Sequence, residues 1–251
     1  MNPYVKLSFE NMVGTIEFFH PQSNALPGDL LKQLTEAITK YGEEEDIRVI
    51  ILKSGGNRAF CAGASFEELL AIKDAADGKK FFSGFANVIN AARKCPKFII
   101  GRVHGKTVGG GVGLASAVDH CFATQFSSVK LSELAIGIGP FVVGPSIERK
   151  IGLSAYSQLT INSTEWKTAN WAKEKGLFAD VYKTVDEMDS AIQDLAQKLA
   201  SSNPESMRGL KEIMWDKADH WDELLMERAE ISGKRVLSDY TQKILAKLKQ
   251  G

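Results

Sequence analysis

Four of the five residues from Gly109 to Gly113 are glycine, and they follow a short turn after Phe98-Ile99-Ile100-Gly101-Arg102-Val103, a run with the composition of a buried strand. A strand that hands over to a helix without side chains in its first turn restricts the fold severely. Such a helix packs close to its neighbours, and its first amides stay open to a bound group because no Cβ shields them. The small-residue pattern predicts this helix to about Val118, with a returning strand from Asp119 to Thr124.

The same alternation runs through the first two thirds of the chain. Val13 to Phe19 and Arg48 to Lys53 read as strands, and between them Leu30, Leu31, Leu34, Ile38 and Tyr41 recur at helical spacing over Pro27 to Tyr41, with Pro27 suited to a first turn. The pattern predicts an α/β fold with helices covering a largely parallel sheet. Near Met188 the composition changes to successive amphipathic helices, at Asp189 to Ala200, Pro204 to Ala218, Trp221 to Val236 and Tyr240 to Lys249. Pro204 restarts a helix after the stop at Ser201-Ser202-Asn203. The expected division is an α/β core at 1–187 and a helical region at 188–251, whose Trp215, Trp221, Leu224, Leu225 and Met226 serve packing within the chain or between chains.

Charge and cysteine usage narrow the partners. Lys plus Arg and Asp plus Glu are 31 each, so no global field draws nucleic acid or an anionic membrane, and Glu43-Glu44-Glu45-Asp46 has the wrong sign for RNA. Cys61, Cys95 and Cys121 form no C-x-x-C pair, and His20, His120 and His220 have no ligand spacing, so reduced thiols and no metal are expected. The N-terminus has no basic segment followed by an apolar run, and no stretch approaches the ~20 apolar residues of a membrane span. A soluble, unexported, cytoplasmic protein is the expectation.

Two phosphate-binding motifs fail on spacing. Gly101 and Gly105 leave three residues between them where a phosphate loop needs four, and a dinucleotide fingerprint on Gly109-x-Gly111 would need glycine at Leu114. The glycine run therefore offers a helix N-terminus, either for a ligand or for close packing. A second segment, Ala59-Phe60-Cys61-Ala62-Gly63-Ala64-Ser65, also follows a strand and ends in small residues. Glu67 and Glu68, at the start of the next helical stretch, suit its dipole, and His104 beside a strand end suits packing or hydrogen bonding.

These two segments, with His20-Pro21-Gln22-Ser23-Asn24-Ala25-Leu26, Ser132-Glu133-Leu134 before Gly137, and Ala169 through Ala172 to Gly176-Leu177, occur in the order found in the enoyl-CoA hydratase/isomerase (crotonase) family. The chain resembles that family over most of its length. The resemblance implies a spiral of ββα units, a C-terminal helical region that forms a homotrimer or a dimer of trimers, and an acyl-CoA thioester substrate. It implies no metal or redox cofactor, coenzyme A being part of the substrate. The family's two oxyanion donors map onto the amides of Ala62 and Gly110, and its proton-transfer carboxylate onto Glu133. Ala25, Leu26, Arg58, Gly63, Ala64, Ser65, Gly109, Gly113 and Phe141 map onto the substrate-binding region, and Lys243 and Lys247 are candidate contacts for coenzyme A phosphates.

One departure points to the reaction. The family's hydratases carry a second carboxylate where this chain has Gly113. Adding water to a 2-enoyl thioester needs a base and a proton donor about one water, whereas moving a proton from C2 to C4 of a 3-enoyl thioester needs one carboxylate facing both carbons. Gly137-Ile138-Gly139-Pro140-Phe141 is likewise similar to the A-P-F form of the family's 3-enoyl to 2-enoyl-CoA isomerases. The expected activity is double-bond isomerisation; a hydratase or acyl-CoA decarboxylase on the same scaffold, or a relative that only binds acyl-CoA or RNA, are the alternatives.

Overall fold

A computed structural model describes residues 1–249. The chain opens with β1 (Tyr4–Glu10) and β2 (Val13–Phe19), an antiparallel hairpin turned at Asn11 and Met12, both in the left-handed region. Then come α1 (Gly28–Glu43), β3 (Val49–Ser54), β4 (Ala59–Cys61), α2 (Phe66–Ala71) and α3 (Ala75–Lys94). Next are β5 (Phe98–Val103), β6 (Lys106–Val108), α4 (Gly110–Ala117), β7 (His120–Thr124), β8 (Ser128–Lys130) and α5 (Gly144–Ile161). The chain continues through β9 (Lys167–Thr168), α6 (Ala169–Glu174) and β10 (Asp180–Tyr182) to α7 (Val185–Ala200), α8 (Pro204–Met214), α9 (Trp221–Val236) and α10 (Asp239–Leu248).

The strands form two sheets, of order β1-β2-β3-β5-β7-β10 and β4-β6-β8-β9, parallel except for the β1–β2 and β8–β9 pairs. Each turn of the chain lays one strand in each sheet and then a helix: β3, β4 and α2–α3; β5, β6 and α4; β7, β8 and α5. This is the expected spiral of ββα units. β3 opens with the apolar run Val49 to Leu52 and β5 with Phe98 to Ile100, because helices cover both faces of the large sheet. On one face Met188, Ile192, Ala196 and Ala200 of α7 bury Val49, Ile51, Ile100 and Phe122, and on the other α1 and α3 pack on the larger core.

The division at 187/188 falls inside α7, which covers the sheet; residues 250 and 251 of the helical region lie outside the described residues. Helix α8 ends at Met214, not Ala218, because Trp215 turns inward and its Nε1 donates to Asp119 Oδ1 at 3.0 Å. Asp119 Oδ2 also accepts from the Ile99 amide and from buried Lys211, each at 2.8 Å, so this buried ion pair is hydrogen-bonded throughout. Helix α9 lies along α3 with Gly78 against Gly233; a Cβ on Gly78 would fall 2.6 Å from the Gly233 Cα. Among the described residues no helix is long and apolar enough to cross a membrane.

Candidate active site

The 62–65 loop is held from behind by residues 20–26. Asn24, buried and left-handed, donates from Nδ2 to the carbonyls of Gly55 (2.9 Å) and Ala59 (2.8 Å), and its Oδ1 accepts from the His20 amide. Leu26 N–H donates to Gly63 O (2.8 Å), Ser65 N–H to Leu26 O (3.2 Å) and Ala62 N–H to Ser23 O (3.1 Å). These bonds decide which amide is available. Ala62 N–H is committed to Ser23, which corrects its assignment as an oxyanion donor; among the described residues the Ala64 amide donates to nothing. Gly63 brings the loop against the glycine run: its φ is +90°, and a Cβ there would stand 2.9 Å from Val108 O and 3.5 Å from the Gly110 nitrogen.

Each glycine of the run meets a different neighbour. A Cβ on Gly110 would lie 2.1 Å from Phe85 Cε1, on Gly111 2.7 Å from Cys61 Cβ, and on Gly113 2.5 Å from Val143 Cγ1. On Gly109, whose φ is +53°, it would lie 2.7 Å from Glu133 Oε1. The Gly109 N–H donates to Lys130 O, tying the helix start to β8, and the Gly110 N–H at the first turn of α4 has no acceptor among the described residues. The absence of a side chain at Gly109 thus makes room for the Glu133 carboxylate. Gly109→Ala is expected to displace that carboxylate and lower kcat at least ~100-fold, the scale of losing a positioned acid–base group, with coenzyme A affinity preserved; steady-state kinetics beside a binding titration check this.

Glu133 follows β8 and leads into a 3-10 turn at Leu134–Ile136, whose end at Gly137 packs on Thr241 and Tyr240 of α10. Burial pushes its carboxyl up to about 7, a backbone hydrogen bond opposing this, and Oε2 is buried without a partner. Desolvation poises the group to exchange a proton near neutral pH.

Glu133 lines a cavity of about 250 Å³ with Ala62, Gly63, Ala64, Gly109, Gly110 and Phe141, so the structure brings these sequence-expected residues together. It does not bring in the rest. Ala25 and Leu26 are buried braces of the loop; Ser65 caps α2 by accepting from the Glu68 amide; Gly113 is covered by Val143; Arg58 is exposed away from the cavity. Lys243 and Lys247 lie on α10 outside the lining, whereas Leu248 is part of it. Glu68 accepts from the Gly28 amide at 2.7 Å, serving the start of α1. His104 is buried beside Arg102, which pairs with Asp189, and burial then Arg102 push its imidazole down to about 4. Phe82 and Phe85 of α3 and Ser232 of α9 complete the wall, and none of the three stands in a motif of the sequence. Phe81, Phe82, Phe85, Val88, Ile89 and Ala92 stand at helical spacing, a signal that would have placed the α3 face.

The model of the enoyl-CoA hydratase/isomerase family matches residues 8–244. The chain belongs to this family. Among its relatives, the probable enoyl-CoA hydratase of Bacillus subtilis (strain 168) is 27% identical over 212 residues, 84% of this chain and 81% of that protein. The peroxisomal Delta(3,5)-Delta(2,4)-dienoyl-CoA isomerase of Arabidopsis thaliana is 27% identical over 206 residues, 76% of this chain and 72% of that one. In fold, an enoyl-CoA hydratase from Bacillus halodurans superposes with a TM-score of 0.89 at 21% identity, covering 97% of this chain and 99% of that chain. As an enoyl-CoA hydratase/isomerase family member, the chain acts on coenzyme A thioesters.

Proposed function

We propose that the protein is an enoyl-CoA isomerase that converts a 3-enoyl thioester to the conjugated 2-enoyl thioester. The observation that carries this is the cavity wall itself: Glu133 is its one ionisable side chain among the described residues. The carboxylate removes a proton from C2, the electron pair moves to the thioester oxygen, and the enolate oxygen accepts from the Ala64 and Gly110 amides. The proton then returns to C4 as the double bond forms between C2 and C3. Removing a comparable oxyanion donor in other enzymes costs on the order of 3 kcal/mol. Coenzyme A enters as part of the substrate, and the step needs no other cofactor.

Similarity to the probable enoyl-CoA hydratase of Bacillus subtilis supports a second reading, hydration of a 2-enoyl thioester. Purified protein given 3-enoyl and 2-enoyl thioesters separately distinguishes the two. Appearance of the conjugated chromophore from the first supports isomerisation; its loss from the second, with a hydroxyacyl product, supports hydration. Silence on both removes the isomerase reading.

The working form of Glu133 at the first step is the carboxylate, so kcat/KM is expected to rise with pH through about 7 and to level off above it. A profile flat from pH 5.5 to 8.5 on a substrate whose chemistry is rate-limiting would count against this role.

We also propose a homotrimer. Leu210, Ile213 and Met214 of α8 and Leu153 of α5 are all more than half exposed, and Arg149, stacked over Trp215 at 3.7 Å, joins the two helices by bonding the Met214 carbonyl. Sedimentation equilibrium at micromolar concentration is expected to give a trimer or a multiple of it, with Ile213→Asp shifting the protein toward monomer; a monomeric parent removes the proposal.

A further inference from the structure

The cavity has two unlike ends. Its rim is formed by partly or fully exposed Phe66, Phe141 and Leu248, and its inner wall by buried Leu69, Phe82, Phe85, Val142, Val143 and Ser232. With the thioester oxygen at the Ala64 and Gly110 amides and coenzyme A leaving through the open rim, the far end of the acyl chain points to the inner wall. No lysine, arginine or histidine stands among the described lining residues, and Glu133 is their one carboxylate. A carboxylate carried on the acyl chain would lose its water there without a partner and would meet a second anion in the same cavity.

We propose that the site selects acyl groups with an uncharged, apolar far end and rejects monothioesters of short dicarboxylic acids. This rests on the acyl-CoA reading of the cavity and deepens it to a substrate class. The discrimination is exerted by absence of a counter-ion rather than by a clash, so a single cation on the inner wall should weaken it.

The test compares binding of two saturated thioesters of equal length, hexanoyl-CoA and adipoyl-CoA, by calorimetry at pH 8. Neither compound can be turned over, which separates this inference from the isomerase reading. Hexanoyl-CoA is expected to bind at least ~100-fold more tightly, the scale of burying an unpaired carboxylate. Adipoyl-CoA binding within threefold of hexanoyl-CoA overturns the proposal, even if 3-hexenoyl-CoA is isomerised. A preserved preference with no isomerisation keeps the proposal and removes the isomerase reading. Phe82→Arg, on the α3 wall, is expected to bring the ratio below ~10-fold in protein that keeps the parent's circular dichroism; a ratio unchanged in such folded protein also overturns it.

Discussion

Glu133→Gln is expected to bind acyl-CoA as the parent does and to turn over ~100- to 10,000-fold more slowly, because the amide keeps the shape of the side chain and removes its proton acceptor. The same variant should be more stable than the parent at alkaline pH. The folded protein holds the Glu133 proton up to about 7, against an ordinary 4.5, so the unfolded chain gives it up first as pH rises. The stability this proton contributes is complete below about 4.5 and lost between there and about 7, by ~3 kcal/mol for a shift of this size. Glutamine does not titrate, so denaturant midpoints of parent and variant should separate from pH 5 to 8 in favour of the variant. Wild-type turnover on the true substrate would remove Glu133 from the mechanism, and parallel stability curves would show that burial does not raise its carboxyl.

A second large effect is expected at Gly113. Its first side-chain carbon would meet Val143 at 2.5 Å from Cγ1 and 2.8 Å from Cβ, so Gly113→Glu alone overpacks α4 against the cavity wall and loses ~1 to 3 kcal/mol or more. Removing the obstructing side chain in Gly113→Glu/Val143→Gly opens that volume and admits a second carboxylate beside the cavity. The double variant is expected to hydrate a 2-enoyl thioester at least ~10-fold faster than the parent, a modest fraction of what a positioned second acid–base group supplies. The decisive contrary result is a parent that already hydrates 2-enoyl thioesters as fast as it isomerises 3-enoyl ones; one carboxylate would then suffice.

The parts legible in the sequence were those whose signals are local. The alternation of β2, α1 and β3, the buried strand β5 and the glycine helix α4 follow from periodicity and composition, and α9 has the bounds that its amphipathic pattern predicts. β1 escaped because its turn to β2 uses Asn11 and Met12 in the left-handed region without the glycine that marks most tight hairpins. α5 escaped because Gly152, at φ +76°, breaks its backbone and its apolar pattern. In the site, Glu133, Gly109 and Gly110 stood in recognisable motifs. The choice between Ala62 and Ala64 did not, since it turns on whether the Ser23 carbonyl, about forty residues earlier, takes up one amide, and no local pattern reports that. The part played by Val143 is also tertiary, visible only from its contact with Gly113.

The spiral bears on how the molecule comes apart. Successive ββα turns hydrogen-bond mainly to the turn before, as β3, β5 and β7 do, and an array built on neighbouring turns has the weak cooperativity of a repeat protein, open to fraying from an end. Helix α9 interrupts that logic by lying along α3, the helix of the first complete turn, at the backbone contact of Gly78 and Gly233. The C-terminal helix α9 is thereby latched to an early turn. Loosening that latch with a side chain at either glycine would let the last helices melt ahead of the sheets, so that a single unfolding transition divides into two.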